Sequence, residues 1–175
     1  ITSPPSTTQT DGSFEIRGIG PGRFTFTPSV PASTKGWILR SAKVGERDLL
    51  DDILELGPGI DIRNITVTFS DVPTELSGSL QTGEGQPATD YYIVALPADR
   101  ALWRPKTRRI LSTRPASDGR FVFTNPPAGQ YVIVAHTDLD PLDLADMTFL
   151  DQIAPAGARV MVGEGQKVVQ DLRIR

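Results

Sequence analysis

Two segments carry residue types whose clustering invites chemistry. Between Arg100 and Arg120 lie seven of the chain's 18 lysines and arginines: Arg100, Arg104, Lys106, Arg108, Arg109, Arg114 and Arg120, with Trp103 among them. An indole flanked by guanidinium groups suits stacking of a sugar ring or a base. The candidate ligand or partner surface is therefore Trp103, Arg104, Lys106, Arg108 and Arg109, with Tyr92 nearby in sequence. The competing reading makes Trp103 a loop plug over the end of a β-sandwich, with arginine stems packed round it. The second segment holds Asp138, Asp140, Asp143 and Asp146 within nine residues. Calcium takes roughly six to eight oxygen ligands, and loop carboxylates are natural ones. Pro141 breaks the EF-hand spacing, so a solvated loop ending in a helix cap at Asp146 competes with a calcium site. The two segments have the charge complementarity to meet, within one molecule or between neighbours.

Other chemistry is excluded by counting. There is no cysteine, so no thiolate nucleophile, disulfide or Cys-ligated metal. His136 is the single histidine, and a catalytic zinc needs about three protein ligands, commonly histidines. His136 reads as a packed or surface-facing strand residue. Ser117 belongs to a turn, with no G-x-S-x-G elbow in the chain. Gly18–Gly22 is glycine-rich but lacks the G-K-[ST] of a phosphate loop and reads as a hairpin turn. No cofactor and no catalytic activity are expected. A net charge of −3 argues against a general nucleic-acid binder. No run approaches the ~18 apolar residues of a membrane span. The opening ITSPPSTTQT is polar and proline-rich, unlike a signal peptide. Asn64-Ile65-Thr66 matches a glycosylation sequon but falls in an expected strand.

These groups must be positioned by β-structure. Apolar residues alternate with polar ones over 13–17, 23–27, 60–69, 75–80 and 168–174, and run more continuously over 91–96, 119–123 and 130–135. Short β-branched and aromatic runs between Gly, Pro, Asn and Asp clusters predict an all-β sandwich. Tyr91 and Tyr92 are adjacent, so in a strand one must face outward. Asp146 is expected to cap a short helix over 147–153, stopped by Pro155. A further helical turn or two is expected over 48–55.

The sequence repeats. DGSFEIRGIGPGRFTFT at 11–27 returns as DGRFVFTNPPAGQYVIV at 118–134, an offset of 107 residues. Asp-Gly opens a tight turn because glycine accepts positive φ. A strand with alternate large residues follows, and a Pro/Gly turn leads into the next strand. At the same offset Ile65 and Val67 align with Leu172 and Ile174. The break between units falls at Asp71–Pro73, dividing the chain into 1–73 and 74–175. In the second unit 44 residues separate Thr74 from Asp118, whereas ten precede Asp11. The second unit thus reads as a complete seven-stranded sandwich. The first reads as an incomplete one, short of two or three opening strands. A fragment of a longer protein, strands donated by another chain, or a shorter first unit closing on the second would each account for this.

DGSFEIRGIGPGRF at 11–24, DGRFVFTNPPAGQY at 118–131 and GEGQKVVQDLRI at 163–174 resemble bacterial carboxypeptidase regulatory-like domains. Residues 37–80 resemble the junction between two such domains in tandem. The resemblance implies immunoglobulin/prealbumin-like (transthyretin-like) sandwiches in a secreted or cell-surface protein, the periplasm included. It implies no peptidase activity, and a role in support, spacing, sugar or partner binding, or surface assembly. The expected function is a non-catalytic structural module. Its partners are other copies or neighbouring β-domains, met through edge strands. The alternative is a carbohydrate-binding module using Trp103 and Tyr92 on a polysaccharide.

Overall fold

The computed structural model describes residues 6–30, 34–104 and 107–174. Lys106 of the expected ligand surface lies outside them. The fold is all-β, with one short α-helix. In chain order the strands are β1 (Gly22–Phe24), β2 (Ile38–Val44), β3 (Arg47–Asp48), β4 (Leu54–Leu56), β5 (Thr66–Ser70), β6 (Glu75–Gln81), β7 (Tyr92–Pro97), β8 (Leu111–Thr113), β9 (Arg120–Thr124) and β10 (Gly129–His136). Helix α1 (Met147–Ile153) follows, then β11 (Ala158–Val162), β12 (Lys167–Val169) and β13 (Leu172–Arg173).

Strands β6–β13 build two facing sheets. One has the order β11-β10-β7-β8; in the other, β6 is flanked by β9 on one edge and by β12 and β13 on the other. Between them lie Leu76, Leu80, Ile93, Ala95, Phe121, Phe123, Tyr131, Ile133 and Val162. The opposite face of the first sheet is also covered. Val94, Leu96, Val132 and Val134 pack there against Trp103, Leu139, Leu150 and Ile153. Burial on both faces explains why β7 and β10 are continuously apolar instead of alternating. It also changes the expectation for Tyr91 and Tyr92. They point to opposite faces, but each face has a core, and both rings are half-buried. The second core depends on α1, which forms as expected: Asp146 Oδ1 accepts from Thr148 N at 2.8 Å.

Strands β1–β5 form two small sheets, β1-β4 and β3-β2-β5, around Ala42, Leu49 and Leu54. Two expectations fail in this half. Residues 48–55 are not helical: β2 and β3 form a hairpin through Gly45-Glu46, with Gly45 at φ +59°, and β4 follows. Residues 13–17 keep their alternating burial, with Phe14 and Ile16 half-buried, but form no strand. The strand expected over 60–69 is confined to β5, and that over 168–174 is interrupted between β12 and β13. β2 had no period-two signal, yet pairs with β5 over most of its length.

The repeat is visible in backbone detail. Gly12 N donates to Gln9 O and Gln9 N to Ser13 O; 107 residues on, Gly119 N donates to Ala116 O and Ala116 N to Arg120 O. Asp11 and Asp118 each accept the backbone N–H two residues ahead. Gly12 and Gly119 share φ near +80°, and Gly18 at +75° is matched by Asn125 at +54°. Gly22-Arg23-Phe24 pairs with Leu56-Glu55-Leu54 as Gly129-Gln130-Tyr131 pairs with Val162-Met161-Val160.

Candidate functional site

Three arginines of the 100–109 loop, Arg104, Arg108 and Arg109, are turned toward three aspartates of the earlier half, Asp48, Asp51 and Asp52. The loop is set by Asp99, which caps a single 3-10 turn over Arg100–Leu102 by accepting from Ala101 N at 2.9 Å. Trp103 follows and is driven inward: it is 8 % exposed, and its indole N–H donates to Pro97 O at 2.7 Å. So placed, it anchors the loop and offers no face to a sugar ring.

With the indole anchored, the flanking guanidiniums project to the other strand group. Arg108 donates from Nη2 to Asp48 Oδ2 at 2.8 Å and from Nε to Asp51 Oδ1 at 3.1 Å. Arg109 donates from Nε to Asp51 Oδ2 at 2.6 Å and from Nη1 to Ala128 O at 3.1 Å. Arg104 reaches Asp52 Oδ2 at 2.7 Å, an oxygen it shares with Arg47 of the same hairpin. Asp51 is only 9 % exposed, so its two arginines compensate a largely desolvated charge. Asp48 is held by its own turn: Oδ1 accepts from Ala42 N and Leu50 N at 3.0 and 3.1 Å. For Asp52, burial pushes the carboxyl pKa up, but the hydrogen bond from Arg47 and the charges of Arg104 and Arg47 outweigh it. The net result lies below the ordinary value of 3.8. Beside this seam is a cleft of about 350 Å³ lined by Arg23, Arg47, Asp52, Glu55 and Arg104. Its ions are mutually paired, Arg23 meeting Glu55 at 3.1 Å.

A second junction lies at the linker. Arg40 of β2 donates to Thr74 Oγ1 at 2.7 Å and to Val72 O, with Glu164 at 3.8 Å. Thr74, fully buried, also accepts from Gly165 N on Oγ1 and pairs with Asn125 through its backbone. Arg40 thus ties β2 to the linker and to the turn before β12.

The remaining expected site residues are dispersed. Arg114 lies over the Tyr92 ring, 4.1 Å from its centroid, and donates to the phenol oxygen at 2.7 Å. Arg100 pairs with Asp151 of α1. In the acidic segment Asp140 Oδ1 accepts from Leu142 N, Asp143 Oδ2 from Asp140 N and Asp146 Oδ1 from Thr148 N. Asp138 meets His136 Nδ1 through its backbone. Among the described residues no group of three or more His, Asp or Glu side chains is placed to hold a metal ion. The calcium expectation thus gives way to local turn capping by Asp140, Asp143 and Asp146. Among the described residues the basic loop makes no ion pair with this segment; the acidic partner of Arg100 is Asp151, and those of Arg104, Arg108 and Arg109 are Asp48, Asp51 and Asp52. That partnership had a sequence signal, three aspartates in five residues facing three arginines in six. It was obscured because 48–55 reads as a helical turn.

No protein-family model matches the chain, and no curated protein sequence matches it. Solved structures similar to it include the Bacillus anthracis TIE protein, at 11 % identity and TM-score 0.39 over 69 % of this chain and 22 % of that one. GBS52, the minor pilin in the Gram-positive pathogen Streptococcus agalactiae, is similar at 12 % identity and TM-score 0.39, over 69 % of this chain and 57 % of that one. The chain thus covers less than two thirds of either protein. At these scores neither likeness carries weight for function.

Proposed function

We propose that the chain is a non-catalytic structural module of a secreted or cell-surface protein, made of an incomplete β-sandwich unit, 1–73, and a complete seven-stranded one, 74–175, held at a fixed angle. The observation that carries this reading is the seam. The strongest cluster of charged side chains is consumed in joining the two strand groups, Asp48, Asp51 and Asp52 against Arg104, Arg108 and Arg109. A chain that spends its ionic groups on internal geometry suits spacing and assembly better than ligand capture. Truncating one partner of a buried pair leaves an uncompensated charge, at a cost of about 3–5 kcal/mol, against about 0–1 kcal/mol for an exposed pair. The Asp51 pairs approach the first case; Arg104–Asp52, with Arg104 about half exposed, approaches the second. The resemblance to tandem carboxypeptidase regulatory-like domains supports the same role and the extracellular setting.

The test uses the absence of native cysteine. Spin labels at Arg63→Cys and Arg120→Cys, both highly exposed positions, report the distance between the two units. One narrow distance distribution is expected, broadened by Asp51→Asn. A broad distribution in the otherwise unaltered chain would defeat the fixed-angle module.

A further inference from the structure

The ions of the cleft beside the seam are paired but not balanced. Its walls carry Arg23 of β1, Arg47 of β3 and Arg104 of the 100–109 loop, together with Asp51, Asp52 and Glu55. Asp51 is already engaged. Its two oxygens receive Arg108 and Arg109, and Nη2 of Arg108 goes to Asp48. Those two guanidiniums and two carboxylates cancel. The cleft itself is left with three cations, Arg23, Arg47 and Arg104, against two anions, Asp52 and Glu55, an excess of one positive charge. The excess has a location. Arg47 Nε and Arg104 Nη1 both donate to a single atom, Asp52 Oδ2, each at 2.7 Å. Asp52 Oδ1 accepts from Ile53 N at 2.9 Å. One carboxylate thus serves two guanidiniums. Arg47 also donates from Nη2 to Ile53 O, and Arg104 from Nε to Ala101 O. Nη1 of Arg47 and Nη2 of Arg104 have no acceptor among the described residues. Arg23 faces Glu55 across the β1-β4 pair, and both side chains are largely exposed.

We propose that this cleft is a binding site for a hydroxy acid, a carboxylate with hydroxyl groups close to it. The carboxylate sits across Arg47 and Arg104, where the positive charge is in excess, and takes the N–H groups that the seam leaves free. Charge-assisted hydrogen bonds of this kind are the strong ones. The lining selects against a bare anion. Acetate would lie beside Asp52 and Glu55 with no proton to offer them, and like charges repel. Hydroxyl groups turn the same carboxylates into acceptors. Glu55 is the principal one, because the oxygens of Asp52 are already occupied by Arg47, Arg104 and Ile53 N. A volume of about 350 Å³ admits a ligand the size of one sugar acid. A free hydroxy acid and a uronate residue within a glycan share this chemistry. Arg23 and Arg47 belong to the first strand group and Arg104 to the second, so an occupied cleft gives the seam a ligand as well as its internal ion pairs.

Isothermal titration calorimetry of the 175-residue chain at fixed chloride tests the site. The probes are free galacturonate and trigalacturonate, with glucose and acetate as controls. Galacturonate is expected to bind in the millimolar range or tighter. Glucose lacks the carboxylate and acetate the hydroxyls, so each is expected to bind at least about 10-fold more weakly. Tighter binding of the trimer makes a residue of an acidic glycan the ligand, and weaker binding makes it the free hydroxy acid. Arg104→Gln is expected to weaken galacturonate at least about 10-fold. Glu55→Gln should weaken galacturonate but not acetate. Because Arg104 also holds the seam, Arg23→Gln is a second variant at an exposed position, with an expected loss of about 3-fold. Absent galacturonate binding, equal affinity for acetate, or binding untouched by both arginine substitutions overturns the site. None of these outcomes reads the distance between the units, so failure of the site and failure of the structural module are told apart.

Discussion

Asp48 divides its carboxylate between two tasks. One oxygen closes its own turn on Ala42 N and Leu50 N, and the other receives Arg108 across the seam. Local folding therefore aims the acceptor before the arginine arrives, which lowers the entropy lost in forming the pair. Asp52 adds a pH dependence. Its folded pKa lies below 3.8 because Arg47 and Arg104 outweigh the effect of burial. A carboxylate with a depressed folded pKa takes up its proton more readily in the unfolded chain. Its contribution is thus fully present above the unfolded value of about 3.9 and fades as pH falls through the lowered folded value. Urea unfolding of the native chain and of Asp52→Asn from pH 7 to pH 2.5 is expected to show a gap that is constant above about pH 5 and narrows below it. A gap independent of pH would show that the charge of Asp52 plays no part. At this scale the basic cluster was legible in the sequence. Its destination was not, because an arginine that stacks a ligand and one that locks a seam have the same composition.

At the scale of elements, strand patterning was a sound guide wherever a partner strand exists. Residues 75–81, 92–97, 120–124 and 129–136 all form ladders close to where alternation or apolar runs predict them. Residues 13–17 carry a comparable signal and form none, because strand formation requires a neighbour to take the backbone hydrogen bonds. β2 is the converse case, an unremarkable pattern made into a strand by β5. Two glycines in different surroundings give a direct comparison. Gly78→Ala would force a Cβ into Gln170 O and is expected to destabilise by roughly 3 kcal/mol or more. Gly12→Ala meets nothing and bears only the cost of its left-handed φ, about 1–2 kcal/mol. Denaturant melts of the two variants check the ranking, and equal losses would show that Gly78 is not closely crossed.

Across the whole molecule, burial is unequal. The second strand group encloses two cores, whereas the first is centred on Ala42, Leu49 and Leu54, with Phe24, Phe26, Leu56 and Val67 only half-buried. Opening free energies follow buried apolar contact and ladder hydrogen bonds. Native-state hydrogen exchange is accordingly expected to be slowest in β6, β7 and β10, faster in β2 and β5, and near unprotected rates at 14–17. Uniform protection across the chain would contradict this order. The sequence alone determined the all-β class, the repeat with its Asp-Gly turns, and the cap of α1. Each of these depends on local backbone preference or on a period of two, and both are written in neighbouring residues. Only the tertiary structure decided that Trp103 is an internal anchor, that the loop arginines bind Asp48, Asp51 and Asp52, and that 13–17 lies without a ladder. These are relations between residues roughly fifty or more positions apart, or, for Trp103, between a loop and a core assembled from distant strands. No local periodicity encodes which surfaces meet once the chain has closed.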